Sequence, residues 1–270
     1  MSKPCKRFAQ HWLRSEYALD KIVEAAQLSK SDRILEIGPG TGILTRRLLP
    51  AVESLVAVEI DRDLCEKLAK NLGKQENFLL LQGDFLSLDL EQLLVPFPSF
   101  HQPNKVVANI PYNITGPILA KLLGTIARPA ETGYELIVLL VQKEVGDRLV
   151  ATPGNKAYGA LSVRVQYLAN CERICEVPAK AFYPPPKVDS VVVRLRPRAS
   201  EPPANNPRQL ETLIQLGFAN RRKMLHNNLK SIIEPDRLTR LLEQLSINPQ
   251  VRAENLSLQD WIGLSNLLTE

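Results

Sequence analysis

Residues 33–42 read RILEIGPGTG, and they constrain the chain more than any other stretch. Residues 34–37 read as a short buried strand and residues 43–49 as the start of a helix. Between them, Gly38, Gly40 and Gly42 allow a sharp backbone turn and leave no side chain in the way of a ligand. The spacing is G-x-G-x-G. A dinucleotide fingerprint needs its third glycine at position 43, which is Ile43. A pyrophosphate-binding nicotinamide or flavin site is therefore the weaker reading, and a plain strand–helix turn can also use glycine.

Three further apolar runs lead to residues with chemistry to offer. Residues 55–60 (LVAVEI) place Glu59 about twenty residues beyond the glycines, where an acid reaches the ribose hydroxyls of a cofactor in such folds. Residues 78–81 lead to Gly83 and Asp84, and residues 105–108 lead to Asn109, Ile110, Pro111 and Tyr112. In a parallel sheet these ends share one edge, where ligands bind. The arrangement resembles an S-adenosylmethionine-dependent methyltransferase, and NIPY resembles the signature of enzymes that methylate an exocyclic amino group. The adenine 6-amino lone pair is delocalised into the ring and is a poor nucleophile. The Asn109 side-chain oxygen and the Ile110 carbonyl are placed to accept its two N–H bonds, localising the lone pair and stabilising the charge that grows on nitrogen. Pro111 fixes the turn that aims the carbonyl, and Tyr112 offers a ring for stacking.

The chain has 270 residues, 44% hydrophobic and 23% charged, enough for one sizeable core and a small second domain. Its net charge of +5 points mildly to a polyanionic partner. Cys5, Cys65, Cys171 and Cys175 form no C-x-x-C, and only three histidines are present, so no metal site is expected and the thiols are expected to be reduced. The N-terminus lacks the apolar core of a secretory signal, and aliphatic runs such as 137–141 are far too short to span a membrane. These features predict a cytoplasmic protein, and nothing demands more than a monomer.

Residues 1–15 carry Lys3, Lys6, Arg7 and Arg14 with Phe8, His11 and Trp12 interleaved, and no acid. They read as an ordered basic arm over the ligand mouth. Helices are predicted at 17–28, 62–72, 118–127, 142–150 and 160–169, a fifth buried strand at 135–141, and an irregular segment at 88–102. Strand-like residues 173–177 and 188–195 have no helix between them and predict an antiparallel pair that finishes the sheet. Residues 182–187 (FYPPPK) form a stiff loop, either a rigid connector or the support that brings Phe182 near Tyr112 as a second face on a flipped base. Residues 196–207 read as a linker. Beyond it the pattern is helical, and residues 218–230 carry Arg221, Arg222, Lys223 and Lys230 with asparagines and no acid. Such runs are ordinarily solvated faces. On a helix, in a chain that acts on a base, this one reads as phosphate and sugar contacts.

The pattern is similar to one family, the small-subunit ribosomal RNA adenine N6,N6-dimethyltransferases (KsgA/RsmA type). The match runs from KRFAQHWL through EIGPGTG, VEID, GD, NIPYN, QKEV, YGALSV, FYPPPKVDSVVVRL and NRRKMLHNNL to RAENLS. The resemblance implies a Rossmann-like α/β methyltransferase sheet over residues 1–197 and a small helical RNA-binding domain over 198–270. It implies transfer of methyl groups from S-adenosylmethionine to two adjacent adenines near the 3′ end of 16S rRNA, as part of small-subunit biogenesis. By matching position it places cofactor contacts on His11, Leu13, Gly38, Gly40, Glu59, Asp84 and Asn109, with Asp84 reading the cofactor's adenine amine. The chain has Ala9, His11 and Trp12 where the family usually has Gly, Asn and Phe. A neutral imidazole offers one donor and one acceptor, as the amide does, so His11 can take over that contact or pack beside Trp12 instead. Two other readings remain. One is a 23S rRNA adenine methyltransferase of the macrolide-resistance type, against which RAENLS argues. The other is a non-catalytic RNA-binding assembly factor, against which the intact Gly38, Glu59, Asp84 and Asn109 argue.

Overall fold

The computed structural model describes residues 11–131 and 133–269. The chain forms two compact units, each assembled from separate segments. The first takes the chain up to Leu122 with Glu131–Gly146 and Glu172–Pro197. The second takes Leu123–Ala130, Asp147–Cys171 and the chain from Arg198. The expected break after residue 197 matches the final crossing only. The helical unit also draws in two earlier pieces, including the helix expected at 160–169.

The first unit is built on a seven-stranded sheet. In chain order its strands are β2 (Arg33–Ile37), β3 (Ser54–Glu59), β4 (Phe78–Gln82), β5 (Lys105–Asn109), β6 (Leu136–Gln142), β7 (Ala169–Val177) and β9 (Ser190–Pro197). They lie in the order β4-β3-β2-β5-β6-β9-β7. The first five are parallel, and β9 runs antiparallel to β6. β3 and most of β6 are buried residue after residue, which is why they read as continuous apolar runs rather than alternating ones. Beside this sheet β1 (Trp12–Leu13) pairs antiparallel with β8 (Phe182–Tyr183). The rest of the basic arm, with Lys3, Lys6, Arg7 and Phe8, lies outside the described residues.

Helix α1 (Glu16–Ala26) starts at Ser15, whose side chain accepts from Ala18 N, and α3 (Arg62–Leu72) starts at Asp61, which accepts from Asp63 N and Leu64 N. The helix expected at 43–49 shortens to α2 (Thr45–Leu48) and a 3-10 turn, Leu49–Ala51, because Pro50 has no N–H to continue it. The segment expected to be irregular contains α4 (Leu90–Leu94), capped by Asp89, and a second 3-10 turn at Pro98–Phe100. Leu19, Ile22, Ile34, Leu48, Leu55, Val107, Val138 and Val192 belong to one apolar cluster between helices and sheet. At the N-terminal ends of β2 and β5, buried Lys105 donates from Nζ to Asp32 Oδ2 (2.7 Å) and to the Gln27 carbonyl (2.7 Å), closing the sheet edge opposite the ligand-binding one.

Helices α5 (Thr115–Leu123) and α6 (Lys143–Val150) follow β5 and β6. The second unit contains α7 (Ala160–Leu168), α8 (Pro207–Gly217), α9 (Leu225–Leu229), α10 (Pro235–Gln244) and α11 (Leu258–Thr269). Trp261 is fully buried at its centre, with the Phe218 ring 5.7 Å away. Gly217 makes room for it: a Cβ there would lie 2.4 Å from the indole. The basic run expected on a helix divides. Residues 218–223 form turns after α8, and only Leu225–Leu229 are helical. Asn228 explains the break, since its Nδ2 donates to the carbonyls of Gly217 (2.6 Å) and Asn220 (3.1 Å) at the frayed end of α8. Among the described residues no helix is long and apolar enough to cross a membrane.

Candidate active site

The parallel strands end together at one edge. Ile37 stands opposite Val58, Glu59 opposite Gln82, and Asn109 opposite Leu140. The ladder continues one residue further, with Gly38 N donating to Val58 O (2.9 Å) and Gly83 N to Glu59 O (2.8 Å). Strand order reverses between β2 and β5, so a crevice opens there. Gly38, Gly40 and Gly42 hold φ of 68°, 58° and 74°, in the left-handed region. A Cβ on Gly42 would lie 2.7 Å from Leu68 Cδ2, and one on Gly40 would lie 3.7 Å from the Trp12 ring.

Two carboxylates line the crevice beyond the glycines. Glu59 is buried and accepts from Gly40 N and Asp61 N, each at 3.0 Å. Burial raises its pKa, and the two N–H bonds pull the other way. Asp84 heads a turn in which its Oδ1 accepts from Leu86 N (3.0 Å). Lys121 on α5 pins that turn, its Nζ donating to the carbonyls of Phe85 (2.7 Å), Leu86 (3.2 Å) and Leu88 (2.6 Å). A third acid, Glu36, is one that sequence reasoning missed. It is fully buried on the pocket wall, and its Oε2 has no partner among the described residues. Burial pushes its carboxyl up to about 8, with the nearby charge of Glu59 adding to the shift and the neighbouring Thr45 and Arg46 opposing it. An acid inside a buried run just before a glycine turn was the signal available.

The NIPY turn lies on the other side of the glycines. Asn109 Nδ2 donates to the His11 carbonyl (3.4 Å), which leaves the amide oxygen for another donor. Ile110 is buried, and Pro111 (φ −60°, ψ 133°) opens the 3-10 turn Tyr112–Ile114. The Tyr112 hydroxyl is 2.6 Å from Ser190 Oγ, and burial raises the phenol pKa. The His11 ring stacks on Tyr112, centroids 5.8 Å apart and planes 18° off parallel, and its Nδ1 is 2.7 Å from the Pro184 carbonyl. The imidazole therefore faces the turn and the proline loop. His11, Leu13, Asp84, Asn109, Ile110, Pro111 and Tyr112 line one pocket with the glycines and Glu59.

Phe182 does not. The sequence places it near Tyr112 as a face for a flipped base, but it is only 3% exposed and belongs to the apolar cluster, opposite Leu13 in the β1–β8 pair. Its neighbour Tyr183 is the exposed ring, with the Arg14 guanidinium 4.2 Å over it. The expected clamp fails because strand alternation sends adjacent side chains to opposite faces. Ser190, which does meet Tyr112, is a second residue that sequence reasoning missed, although it closes the VDS string as the first residue of β9.

Acceptors at Glu59 and Asp84, a glycine cradle and one unmet donor suit a nucleoside bearing an amino-acid tail. The donor is Trp12 Nε1, buried and without a partner among the described residues. The model of the ribosomal RNA adenine dimethylase family matches residues 1–270. The chain belongs to that family. Its curated relatives include the ribosomal RNA small subunit methyltransferase A of Rippkaea orientalis, 71% identical over 99% of this chain and 98% of the relative, and that of a Nostoc species, 69% identical over 99% of each. Among solved structures, a Plasmodium falciparum dimethyladenosine transferase is 29% identical with a TM-score of 0.78, covering 94% of this chain and 96% of its own. The 23S rRNA methyltransferase ErmE is 26% identical with a TM-score of 0.75, covering 96% of this chain and 100% of its own. The cofactor of this adenine dimethylase is S-adenosylmethionine, and the cradle, the two carboxylates and the Trp12 N–H fit it.

In the helical unit of this family member, Arg221, Arg222, Lys223 and Lys230 are all exposed. Arg221 is more constrained. Its Nη2 lies 2.8 Å from the Lys156 carbonyl, 2.9 Å from the Tyr158 carbonyl and 3.0 Å from Glu254 Oε2.

Proposed function

We propose that this enzyme dimethylates the 6-amino groups of two adjacent adenosines near the 3′ end of 16S rRNA, within the small ribosomal subunit or its precursor. The observation that carries the reading is the Asn109–Tyr112 turn, held by His11 and Ser190 beside a crevice that also presents Glu59 and Asp84. Relatives that bear the small-subunit name at 60–71% identity support 16S over 23S rRNA as substrate.

Bound in the crevice, S-adenosylmethionine supplies a methyl group activated by its sulfonium. Glu59 would accept from its ribose hydroxyls and Asp84 from its adenine amine, while Gly38 and Gly40 would let the backbone approach closely. Leu13, on the pocket wall, would pack against it, and His11 holds Asn109 through its carbonyl. Asn109 Oδ1 and the Ile110 carbonyl accept the N–H bonds of the target amine. They direct its lone pair at the methyl carbon and stabilise the charge that grows on nitrogen. Pro111 sets the carbonyl, and Tyr112 offers the target base the ring face that His11 leaves uncovered. Catalysis is mainly positioning, with reacting atoms roughly 3–3.5 Å apart. The basic run of the helical unit, Arg221, Arg222, Lys223 and Lys230, supplies rRNA contacts. On this reading the enzyme acts as a monomer in the cytoplasm.

Incubation with radiolabelled cofactor and purified 30S or 50S particles tests the reading. Label is expected in 16S rRNA, released on nuclease digestion as N6,N6-dimethyladenosine. Label confined to 50S particles, or absent from both, would overturn it.

A further inference from the structure

Three strings far apart in the sequence meet at one side chain of the helical unit. They are residues 152–159 (TPGNKAYG), Arg221, and residues 252–257 (RAENLS). The two hydrogens of Arg221 Nη2 are shared among the carbonyls of Lys156 and Tyr158 and the carboxylate of Glu254. Glu254 also holds the loop through its backbone, accepting from Gly154 N at 2.7 Å. Gly154 has φ 80°, a left-handed corner that suits glycine. At the far end Tyr158 is fully buried and donates its hydroxyl to the Leu256 carbonyl at 3.0 Å. Asn155 Oδ1 closes the turn internally on Ala157 N at 2.8 Å.

The loop between α6 and α7 is thus fastened at both ends and at its middle. Lys156 is the cation on it, and its side chain is exposed. Its carbonyl is gripped by the residue immediately before Arg222 and Lys223. Arg221, in contrast, has its charge offset by Glu254 and one nitrogen committed to three acceptors.

We propose that Arg221 is a positioning residue rather than a phosphate contact, and that the Lys156 it anchors joins Arg222 and Lys223 in one phosphate-binding surface for rRNA. The proposal rests on the reading of this enzyme as one that binds small-subunit rRNA. All three bonds run from the terminal Nη2, one bond further from Cα than a lysine Nζ, so a lysine at this position falls short of the two carbonyls and the carboxylate. Anchoring the loop backbone reduces the ordering cost when the Lys156 ammonium meets a phosphate. Each phosphate neutralised releases counterions, so each contact steepens the salt dependence of binding.

The test is titration of purified 16S rRNA with the full chain across a series of salt concentrations. Lys156→Ala is expected to make the log–log slope shallower by roughly 0.7–0.9, as are Arg222→Ala and Lys223→Ala singly. Arg221→Lys keeps the charge but does not reach the three acceptors. It is expected to match Lys156→Ala, and the double variant Lys156→Ala/Arg221→Lys to lose nothing more. An unchanged slope for Lys156→Ala, with shallower slopes for Arg222→Ala and Lys223→Ala, overturns the proposal and leaves the RNA-binding role of the run standing. If those two variants are also unchanged, the RNA-binding role itself fails. An unchanged slope for Arg221→Lys beside a shallower one for Lys156→Ala would mean that Arg221 does not place Lys156, and a further loss in the double variant would mean that the two act separately; either overturns the clamp.

Discussion

The hydroxyl of Tyr112 lies 2.6 Å from the hydroxyl of Ser190, a fully buried side chain at the start of β9. Ser190 is placed by the sheet, opposite Gln142 of β6, so the bond ties a ring on a turn to a rigid strand. Burial raises the phenol pKa, which keeps the hydroxyl neutral and able to donate. A bond of this kind contributes roughly 0.5–1.5 kcal/mol net, and a buried hydroxyl left alone costs about 1–3 kcal/mol. Ser190→Ala is therefore expected to lower kcat by about tenfold, with cofactor affinity unchanged. Tyr112→Phe is expected to do the same, and the double variant to be no worse than either. Additive losses, measured as kcat on 30S particles, would mean that the two hydroxyls do not act as a unit.

Asn109→Ala is expected to abolish methyl transfer while 16S rRNA binding stays nearly intact. The Asn109 amide nitrogen donates to the His11 carbonyl, so on the proposed reading the oxygen is the atom that meets the target amine. Filter binding and methyl transfer on one preparation decide it. A variant that keeps more than a few per cent of the wild-type rate rules the role out.

Much of this site could be read in the sequence because it lies at strand ends. The stretches 55–58 and 106–108 are continuous and apolar because both faces of β3 and β5 are covered, and the residue after each, Glu59 and Asn109, falls at the ligand edge. Glu59, Asp84 and Asn109 were legible for that reason. Phe182 and Ser190 were not, because their positions depend on pairing across the fold. A two-residue pairing with β1 turns Phe182 inward, and the register of β9 on β6 brings Ser190 under a tyrosine 78 residues away. The basic run misled in a similar way. Its charges were visible, but only the side chain of Asn228, reaching back to α8, shows that residues 221–223 occupy a turn.

Glu59→Ala is expected to weaken S-adenosylmethionine binding by roughly 1.5–3 kcal/mol, the range for hydrogen bonds to a charged group. The loss includes the Gly40 N–H, which Glu59 also holds at 3.0 Å. Calorimetric titration reads it directly, and an unchanged affinity removes Glu59 from the cofactor site.

Trp12→Phe keeps the aromatic ring beside Gly40 but removes the indole N–H that has no partner among the described residues. If that N–H meets the cofactor's carboxylate, affinity is expected to fall several-fold, with no change for 5′-methylthioadenosine, which lacks the amino-acid tail. Equal losses for both ligands would assign the effect to packing alone.

Glu36 makes the fold itself pH-dependent. Its ordinary value is 4.5, and burial together with the charge of Glu59 pushes it up to about 8 in the native protein. Between those values the unfolded chain has released this proton and the native chain still holds it. Stability therefore falls as pH rises through the window and levels off above about pH 8. The full shift corresponds to about 5 kcal/mol as an upper bound. An uncharged amide in place of this carboxyl resembles the protonated acid at every pH. Glu36→Gln is thus expected to match the wild type near pH 4.5, to be several kcal/mol more stable near pH 8, and to show a flatter profile between. Glu59, also raised by burial, keeps its own contribution in both proteins, so a residual slope is expected in the variant. Urea unfolding of both proteins at intervals from pH 4.5 to 8.5 measures the difference. Parallel curves would show that Glu36 is already charged at neutral pH, held so by hydrogen-bond donors such as the Thr45 hydroxyl and N–H.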